Sequence, residues 1–243
     1  PRPALSNVFE PLATFVAMAF AVVVDKLIVP LDVVVVTLAA VIVLLPGLSL
    51  TTSIVELATR NLVSGTARLA GAMVVFVGMA VGAALGSTVG DALPTLGTPV
   101  AMPIPEVARW AILPLVGVML GVLLRARLRD MGWCAIAPGL AMAFGGLGNL
   151  VLGEVLGAGL AGFGLAVFSN AVSRVRHRPA STVLVPGILL LVPGSAGLRA
   201  ILALVDHDVV RGVDGLFAAV LIATSLSSGV LLANVALRPR RTL

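Results

Sequence analysis

The amino-acid sequence predicts an all-α, polytopic membrane protein with about eight transmembrane helices. Of its 243 residues, 59% are hydrophobic and only 11% are charged, and the mean hydropathy is +1.15. A helix that crosses a bilayer needs roughly 20 mostly apolar residues, and such stretches follow one another along almost the whole chain. Shorter segments of alternating polarity, typical of barrel strands, are not seen, so helices are the expected way to satisfy the backbone in lipid.

Short polar segments separate the predicted helices. These helices lie near residues 5–24, 30–58, 66–90, 108–124, 132–151, 153–173, 180–205 and 213–236. The chain begins with proline, and the first apolar stretch follows almost at once. A cleaved signal peptide is normally followed by a soluble domain, which this sequence does not contain, so we expect a fragment or a processed chain.

The sequence contains no pattern of residues typical of a catalytic site or a metal site. Cys134 is its single cysteine, so neither an intramolecular disulfide nor a cysteine metal cluster can form. His177 and His207 both fall in predicted loops, and no metal-ligand spacing, nucleophile elbow or phosphate-binding glycine loop is present. We therefore expect no enzymatic activity and no cofactor.

The basic residues are interpreted as a topology signal rather than a nucleic-acid surface, because they cluster between spans as the positive-inside rule requires. If eight spans alternate, 12 of the 16 basic residues share the cytoplasmic face, namely Arg2, Arg60, Arg68, Arg125, Arg127, Arg129, Arg174, Arg176, Arg178, Arg238, Arg240 and Arg241. The opposite face collects Asp25, Asp91, Glu106, Glu154, Asp206, Asp208 and Asp214. Both termini are then cytoplasmic.

The sequence matches itself at a shift of 147 positions, without a gap, across a broken helix, its loop and the start of the next span. The matched positions are Pro46 with Pro193, Gly47 with Gly194, Ile54 with Ile201, Leu57 with Leu204, Gly65 with Gly212, and Leu69 with Leu216. A Pro-Gly pair and a later glycine are unlikely to recur together by chance, so we infer an internal duplication.

The duplication predicts the domain organisation. Residues 1–92 hold the last three helices of a first membrane half, residues 93–107 form a periplasmic linker, and residues 108–243 hold a second half of five helices. An odd number of spans per copy makes the two copies cross the bilayer in opposite senses, which is an inverted repeat with an incomplete first unit. Inverted repeats with broken helices are typical of secondary transporters.

The Pro-Gly pairs at 46–47 and 193–194 are expected to break their helices near the middle of the membrane, since proline lacks an amide donor and glycine loosens the backbone. The two broken helices are expected to run antiparallel to each other and to meet there, forming a water-accessible pocket. The amide-rich start of each following half-helix favours a carboxylate. The predicted substrate-binding residues are Pro46, Gly47, Ser49, Thr51, Thr52, Pro193, Gly194, Ser195 and Arg199. The alternative is a pair of ordinary proline kinks whose hydroxyls bond back to their own helix.

Several ionisable residues lie within or near the spans. Arg199 either faces a cavity or extends to the outer interface. Glu56 either pairs with Arg60 four residues later or is a protonatable group in the inner vestibule. Asp32 and Glu10 join Glu56 as candidates for proton coupling.

Two segments resemble the threonine/serine exporter family. They are "LLPGLSLTTSIVELATRNLVSGTAR" at 44–68 and "RPASTVLVPGILLLVPGSAG" at 178–197. The resemblance implies two five-helix halves in the bacterial inner membrane that export small hydroxylated amino acids, driven by the proton motive force. The positions that match the family pattern are Pro46, Gly47, Thr51, Glu56, Ser64, Gly65 and Arg68 in the first segment and Pro186, Gly187, Pro193, Gly194 and Ser195 in the second. A structural or gating role is predicted for Ser64, Gly65, Arg68, Pro186, Gly187 and Gly212.

The chain departs from the family pattern at its front, where a cytoplasmic region and about two helices of the first half are missing. We therefore expect this chain to work either as a homo-oligomer or together with a missing N-terminal region. The other expected partners are the substrates threonine and serine and the lipid bilayer. Three alternatives stay open: a dicarboxylate exporter, as suggested by relatives with separate halves, a membrane assembly subunit without transport, and a channel.

Overall fold

The computed structural model describes residues 8–90, 93–94, 105–176 and 179–238. Its regular structure in these ranges is helical, which confirms the predicted fold class. The helices are α1 Phe9–Leu27, α2 Val33–Val41, α3 Gly47–Ala58, α4 Leu62–Ser87, α5 Glu106–Leu123, α6 Met131–Arg176, α7 Ser181–Leu191, α8 Gly194–Val205 and α9 Val209–Ala236. Short 3-10 turns lie at Thr88–Gly90 and Leu128–Asp130.

Five segments among the described residues are long and apolar enough to cross a membrane. They are Leu62–Gly90, Glu106–Leu123, Leu128–Arg176, Ser181–Val205 and Val209–Ala236. The predicted span 30–58 is divided between α2 and α3, and α1 carries three charged residues among its 19. The total of eight spans therefore stays a prediction.

The chain divides into two compact units. Unit 1 comprises Pro1–Ser53, Asn61–Pro103 and Pro193–Ala219, and unit 2 comprises Ile54–Arg60, Ile104–Val192 and Val220–Leu243. These units differ from the predicted halves 1–92 and 108–243, because α8 packs with the helices of the first half. The halves remain a prediction about duplication, and most of the linker 93–107 lies outside the described residues.

Small residues bring α1 and α4 together in unit 1. Glycines recur at every fourth position of α4, which places Gly78, Gly82 and Gly86 on one face of the helix. A Cβ atom added to Gly82 would run into the carbonyl oxygen of Pro11, and one added to Gly86 would lie 2.7 Å from the Cβ of Met18. Without side chains at these positions the two backbones approach closely, which is how apolar helices gain dispersion energy in lipid.

An apolar cluster joins three helices of unit 1. Leu38 and Val41 of α2, Phe76 of α4, and Leu198 and Ile201 of α8 are all buried in it. This cluster ties α8 to α2 and α4, although at least 100 residues of sequence separate α8 from them.

Helix α6 of unit 2 is a hairpin of two antiparallel arms, 131–152 and 154–176. The chain turns at Gly153, whose φ of 77° and ψ of 176° lie outside the helical region. The turn brings Gly148 against Gly157, so that a Cβ on Gly148 would lie 2.8 Å from the Cα of Gly157. The two arms agree with the predicted spans 132–151 and 153–173.

Replacing Gly153 with alanine should destabilise this hairpin by about 1–3 kcal/mol, since its backbone conformation is essentially restricted to glycine. Nothing lies within 4 Å of the added Cβ, so the cost is conformational rather than steric. Equilibrium unfolding in detergent would measure it. Gly146→Ala, in the same helix and equally uncrowded, is the control, and equal stabilities for the two variants would contradict the turn.

Proline does not always end a helix in unit 2. Pro186 lies inside α7, where it leaves the carbonyl of Thr182 without its usual donor four residues on. The thiol of Cys134 donates to this carbonyl, with a sulfur–oxygen distance of 3.6 Å. Membrane helices tolerate proline when a neighbouring group satisfies the freed carbonyl in this way.

The local structure of the broken helices recurs at the shift of 147 positions. Helices α3 and α4 begin at Gly47 and Leu62, and the same shift gives the first residues of α8 and α9. Arg60 and His207, which follow α3 and α8, both adopt a left-handed conformation, with φ values of 64° and 63°. The shared bounds and turns support the inferred duplication, whose inverted sense remains a prediction.

Candidate functional site

Both Pro-Gly pairs interrupt their helices as predicted. The first interruption separates α2, which ends at Val41, from α3, which begins at Gly47. The second separates α7 from α8, and Pro193 is the central residue of the 25-residue segment Ser181–Val205. The missing proline donor and the small glycine explain why the helices restart at these points.

The starts of α3 and α8 meet within unit 1, and we call this contact the junction. Gly47 and Gly194 are both buried there. A Cβ atom added to Gly194 would lie 3.4 Å from the Cα of Gly47 and 3.2 Å from the Cβ of Leu45. Only glycine at position 194 leaves the two backbones at this separation without displacing a neighbour.

Helix α8 runs antiparallel to α2 away from the junction. Its first residue, Gly194, lies beside Leu45, its middle packs in the apolar cluster, and Leu202 packs near Val33 at the start of α2. The order of contacts along α8 is thus the reverse of the order along α2. The sequence predicted that the two broken helices run antiparallel to each other and meet, and this order of contacts agrees with that prediction.

The junction brings together two sets of helix-start amides. The first hydrogen bonds of α3 and α8 run from Leu50 N to Pro46 O and from Gly197 N to Pro193 O, both at 2.9 Å. The three amides at the start of each helix therefore have no acceptor inside their own helix. Because such amides carry partial positive charge, the junction favours an anionic group.

The hydroxyls after the first break bond to their own helix. Thr51 donates to Gly47 O at 3.1 Å, Thr52 to Leu48 O at 2.8 Å, and Ser53 to Leu50 O at 2.7 Å. This is the bonding that the ordinary-kink alternative expects. Thr51 is nevertheless buried one turn from the junction, and Ser49 and Ser195 are half-buried.

The predicted ionisable residues are not gathered at the junction. Arg199 is exposed, whereas its neighbours Leu198 and Ala200 are buried. Asp32 is exposed and caps α2, since its Oδ1 accepts from Val35 N at 3.0 Å. Glu10 and Glu56 are half-buried. A capping carboxylate has a structural role that sequence reasoning did not anticipate for Asp32.

The remaining motif residues lie at helix starts and packing contacts. The amide of Gly65 donates to Asn61 O at 3.0 Å in the first turn of α4, where Ser64 and Arg68 are exposed. Gly212, in the first turn of α9, lies against Leu204 of α8. Buried Pro186 and Gly187 lie within α7, where a Cβ on Gly187 would lie 2.5 Å from the side chain of Leu165.

A cavity of about 400 Å³ lies at the end of unit 1 where α8 finishes. Asp25, Lys26 and Asp206 are among its lining residues. The sequence placed Asp25 and Asp206 on the same face of the membrane, and the cavity brings them together. Asp91, which was predicted on the same membrane face, lies outside the described residues.

A larger cavity, of about 790 Å³, lies in unit 2 and was not predicted. Arg125, Arg127, Arg129 and Arg176 line it. Sequence reasoning treated these arginines only as topology signals, although their shared membrane face hinted that they could converge. The other residues of the predicted charge map and loops that lie outside the described ranges are Arg2, His177, Arg178, Arg240 and Arg241.

Broken helices that meet at their starts inside a helical membrane protein are the arrangement used by secondary transporters. Comparison with protein families agrees with that class. A family model described as "Putative threonine/serine exporter" matches residues 2–90, and a second, "Threonine/Serine exporter, ThrE", matches residues 109–236. The chain belongs to the threonine/serine exporter family, which consists of membrane exporters rather than enzymes.

A curated relative has a similar sequence. The "Probable threonine/serine exporter" of Mycobacterium tuberculosis (strain ATCC 25618 / H37Rv) is 29% identical over 95% of this chain and 45% of its own length. The chain thus spans about half the length of the relative it matches. No solved structure gives a significant match.

Proposed function

We propose that this chain forms part of a secondary transporter that exports threonine and serine from the bacterial cytoplasm across the inner membrane, with the junction as its substrate site. The observation that carries the proposal is the meeting of Gly47 and Gly194, which places two helix starts at one point. Family membership supports the substrate class, since the matched relative and both family models name threonine and serine.

The junction offers a partner for each group of such a substrate. The paired helix-start amides suit the carboxylate. The carbonyls in the last turn of α2 accept no hydrogen bond from an amide of their own helix. In this proposal they accept hydrogen bonds from the ammonium group. The side-chain oxygens of Ser195 and Thr51 lie within the first two turns of α8 and α3, where they can accept from the substrate hydroxyl.

An apolar layer closes the junction on one side. Along α8, Gly194 lies at the junction, Leu198 and Ile201 lie in the apolar cluster, and Leu202 lines the cavity of unit 1. About 12 Å of helix therefore separates the junction from the cavity, at roughly 1.5 Å per residue. In this proposal the layer is a gate, and export requires α8 to move away from α2 and α4.

Proton coupling is assigned in this proposal to Glu56, with Glu10 and Asp32 as further candidates. Half-buried carboxylates near membrane spans are common sites of proton exchange in transporters. The chain spans 45% of the length of its curated relative. In this proposal, transport therefore requires either additional sequence of the kind found in the relative or a second copy of this chain. We propose that both termini of this chain are cytoplasmic, as the arginine distribution indicates.

Reconstituted full-length protein would test the proposed function. Proteoliposomes loaded with labelled threonine should release it faster when a proton gradient is imposed, and unlabelled serine on the opposite side should accelerate the release by exchange. Leucine, which lacks the hydroxyl, is the control substrate. A release rate that depends neither on the proton gradient nor on which amino acid is loaded would contradict the proposal. Release that neither saturates with substrate concentration nor shows exchange would indicate a channel.

A further inference from the structure

The larger cavity gathers arginines from two different parts of unit 2. Arg125, Arg127 and Arg129 belong to the connection between α5 and α6, whereas Arg176 is the last residue of α6. The hairpin at Gly153 returns the second arm of α6 to the level of the first, so that these residues line one space. Its volume of about 790 Å³ is that of a ligand site, which typically encloses about 300–1,000 Å³.

The lining of this cavity combines positive charge with apolar surface. The lining includes four arginines and one acidic residue, Asp130, which gives a formal net charge of +3. Val185 and Pro186 of α7 supply apolar surface. Such a lining can hold an anionic group, and its apolar surface can also cover an apolar part of the same ligand.

Hydroxyl groups add hydrogen-bond donors to the lining of this cavity. Ser181 and Thr182 form the first turn of α7 and line the cavity, so their hydroxyls accompany a helix start. The bond from the Cys134 thiol to Thr182 O fixes this turn against α6. The donors therefore belong to packed helices, and not only to the arginine-bearing connections.

We propose that this cavity binds a phosphate group. Guanidinium groups bind phosphate oxygens through paired, charge-assisted hydrogen bonds, and four of them suit a group that carries more than one acceptor oxygen. A zwitterionic amino acid is a poorer ligand, since the net charge of +3 repels its ammonium group. The phosphate belongs either to the headgroup of an anionic phospholipid, as in basic pockets between membrane helices, or to a soluble phosphate compound.

This site is separate from the proposed substrate site, because none of the residues that line the cavity belongs to the junction. Its test therefore needs no transport assay. The double variant Arg127→Gln/Arg176→Gln removes two cations from the cavity. The matched control Arg109→Gln/Arg211→Gln removes the same charge from two exposed arginines that pair with Glu106 and Asp208.

Two measurements distinguish the sources of the phosphate. Calorimetric titration of the detergent-purified protein with inorganic phosphate tests the soluble source. Thermal unfolding in nanodiscs of phosphatidylglycerol, compared with nanodiscs of phosphatidylcholine, tests the lipid source. The cavity variant should lose charge-assisted hydrogen bonds to the phosphate. We therefore expect either an affinity for inorganic phosphate about tenfold weaker in the calorimetric titration, or an equivalent loss of the thermal stabilisation by phosphatidylglycerol.

The control variant should keep the unmodified response, and both variants should keep their helical circular dichroism and their monodisperse elution. A response confined to phosphatidylglycerol supports the headgroup, and one confined to inorganic phosphate supports the soluble compound. The proposal is overturned if the unmodified protein responds in neither assay. It is equally overturned if the cavity and control variants lose the response to the same extent.

Discussion

Export of threonine, the substrate proposed above, by the full-length protein should fall by roughly five- to 150-fold when Gly194 is replaced with leucine. A Cβ at this position already lies 3.2 Å from Leu45 and 3.4 Å from Gly47, so the rest of a leucine side chain must push α8 away from α3. Overpacking of this kind costs roughly 1–3 kcal/mol, and the same free energy in the transport barrier gives the stated loss of rate. Initial rates of labelled threonine efflux from proteoliposomes would measure it.

Gly71→Leu is the matched control for this prediction, since an added Cβ there meets nothing within 4 Å. Gly194→Ala should fall between the two, because its neighbours need to move by only a few tenths of an ångström. If Gly194→Leu exports threonine as fast as Gly71→Leu at equal protein levels, the junction is not the substrate site. Altered complex formation with unchanged flux would instead favour a role in assembly.

The largest loss of stability is expected for Gly82→Leu, at about 3 kcal/mol, the upper end for an overpacked core. A side chain at this position collides with the backbone carbonyl of Pro11, which cannot rotate away as a flexible side chain would. The contact between α1 and α4 should then open. Unfolding of the purified variant in a denaturing detergent would give the change in free energy of unfolding.

The same Gly71→Leu variant controls for the helix propensity and size of leucine in α4, and it should stay within about 0.5 kcal/mol of the unmodified protein. Gly82 and Gly71 lie on the same helix, so only the packing differs. Equal unfolding free energies for the two leucine variants would show that the stripe of glycines in α4 does not set its distance from α1.

Much of the fold follows from local sequence. The apolar stretches gave the helices, and the breaks at Pro46 and Pro193 fall where a missing amide donor and an adjacent glycine coincide. Pro186, also followed by glycine, shows the limit of that rule. Its helix continues, and the freed Thr182 carbonyl is met by Cys134, 48 residues earlier in the chain, which no local pattern reveals.

The candidate site could be predicted only in part. Sequence symmetry selected Gly47 and Gly194, but their contact depends on α8 packing against α2 and α4 rather than with its own half of the chain. Contacts between apolar side chains are not directional, so the sequence does not indicate which helices will pack together. The arginine cavity was missed for a similar reason, since Arg127 and Arg176 converge only because the chain reverses at Gly153.

The most direct test of the substrate site is cross-linking across the junction. In a Cys134→Ala background, Leu45→Cys and Gly194→Cys place two sulfur-bearing Cβ atoms near the separation of about 3.5–4.5 Å that disulfides adopt. The double variant should form an intramolecular disulfide under mild oxidation, each single variant should not, and saturating threonine should slow the reaction while leucine leaves it unchanged. A pair that never cross-links, or one that cross-links at the same rate with and without threonine, would contradict a threonine site at the meeting point of the two broken helices.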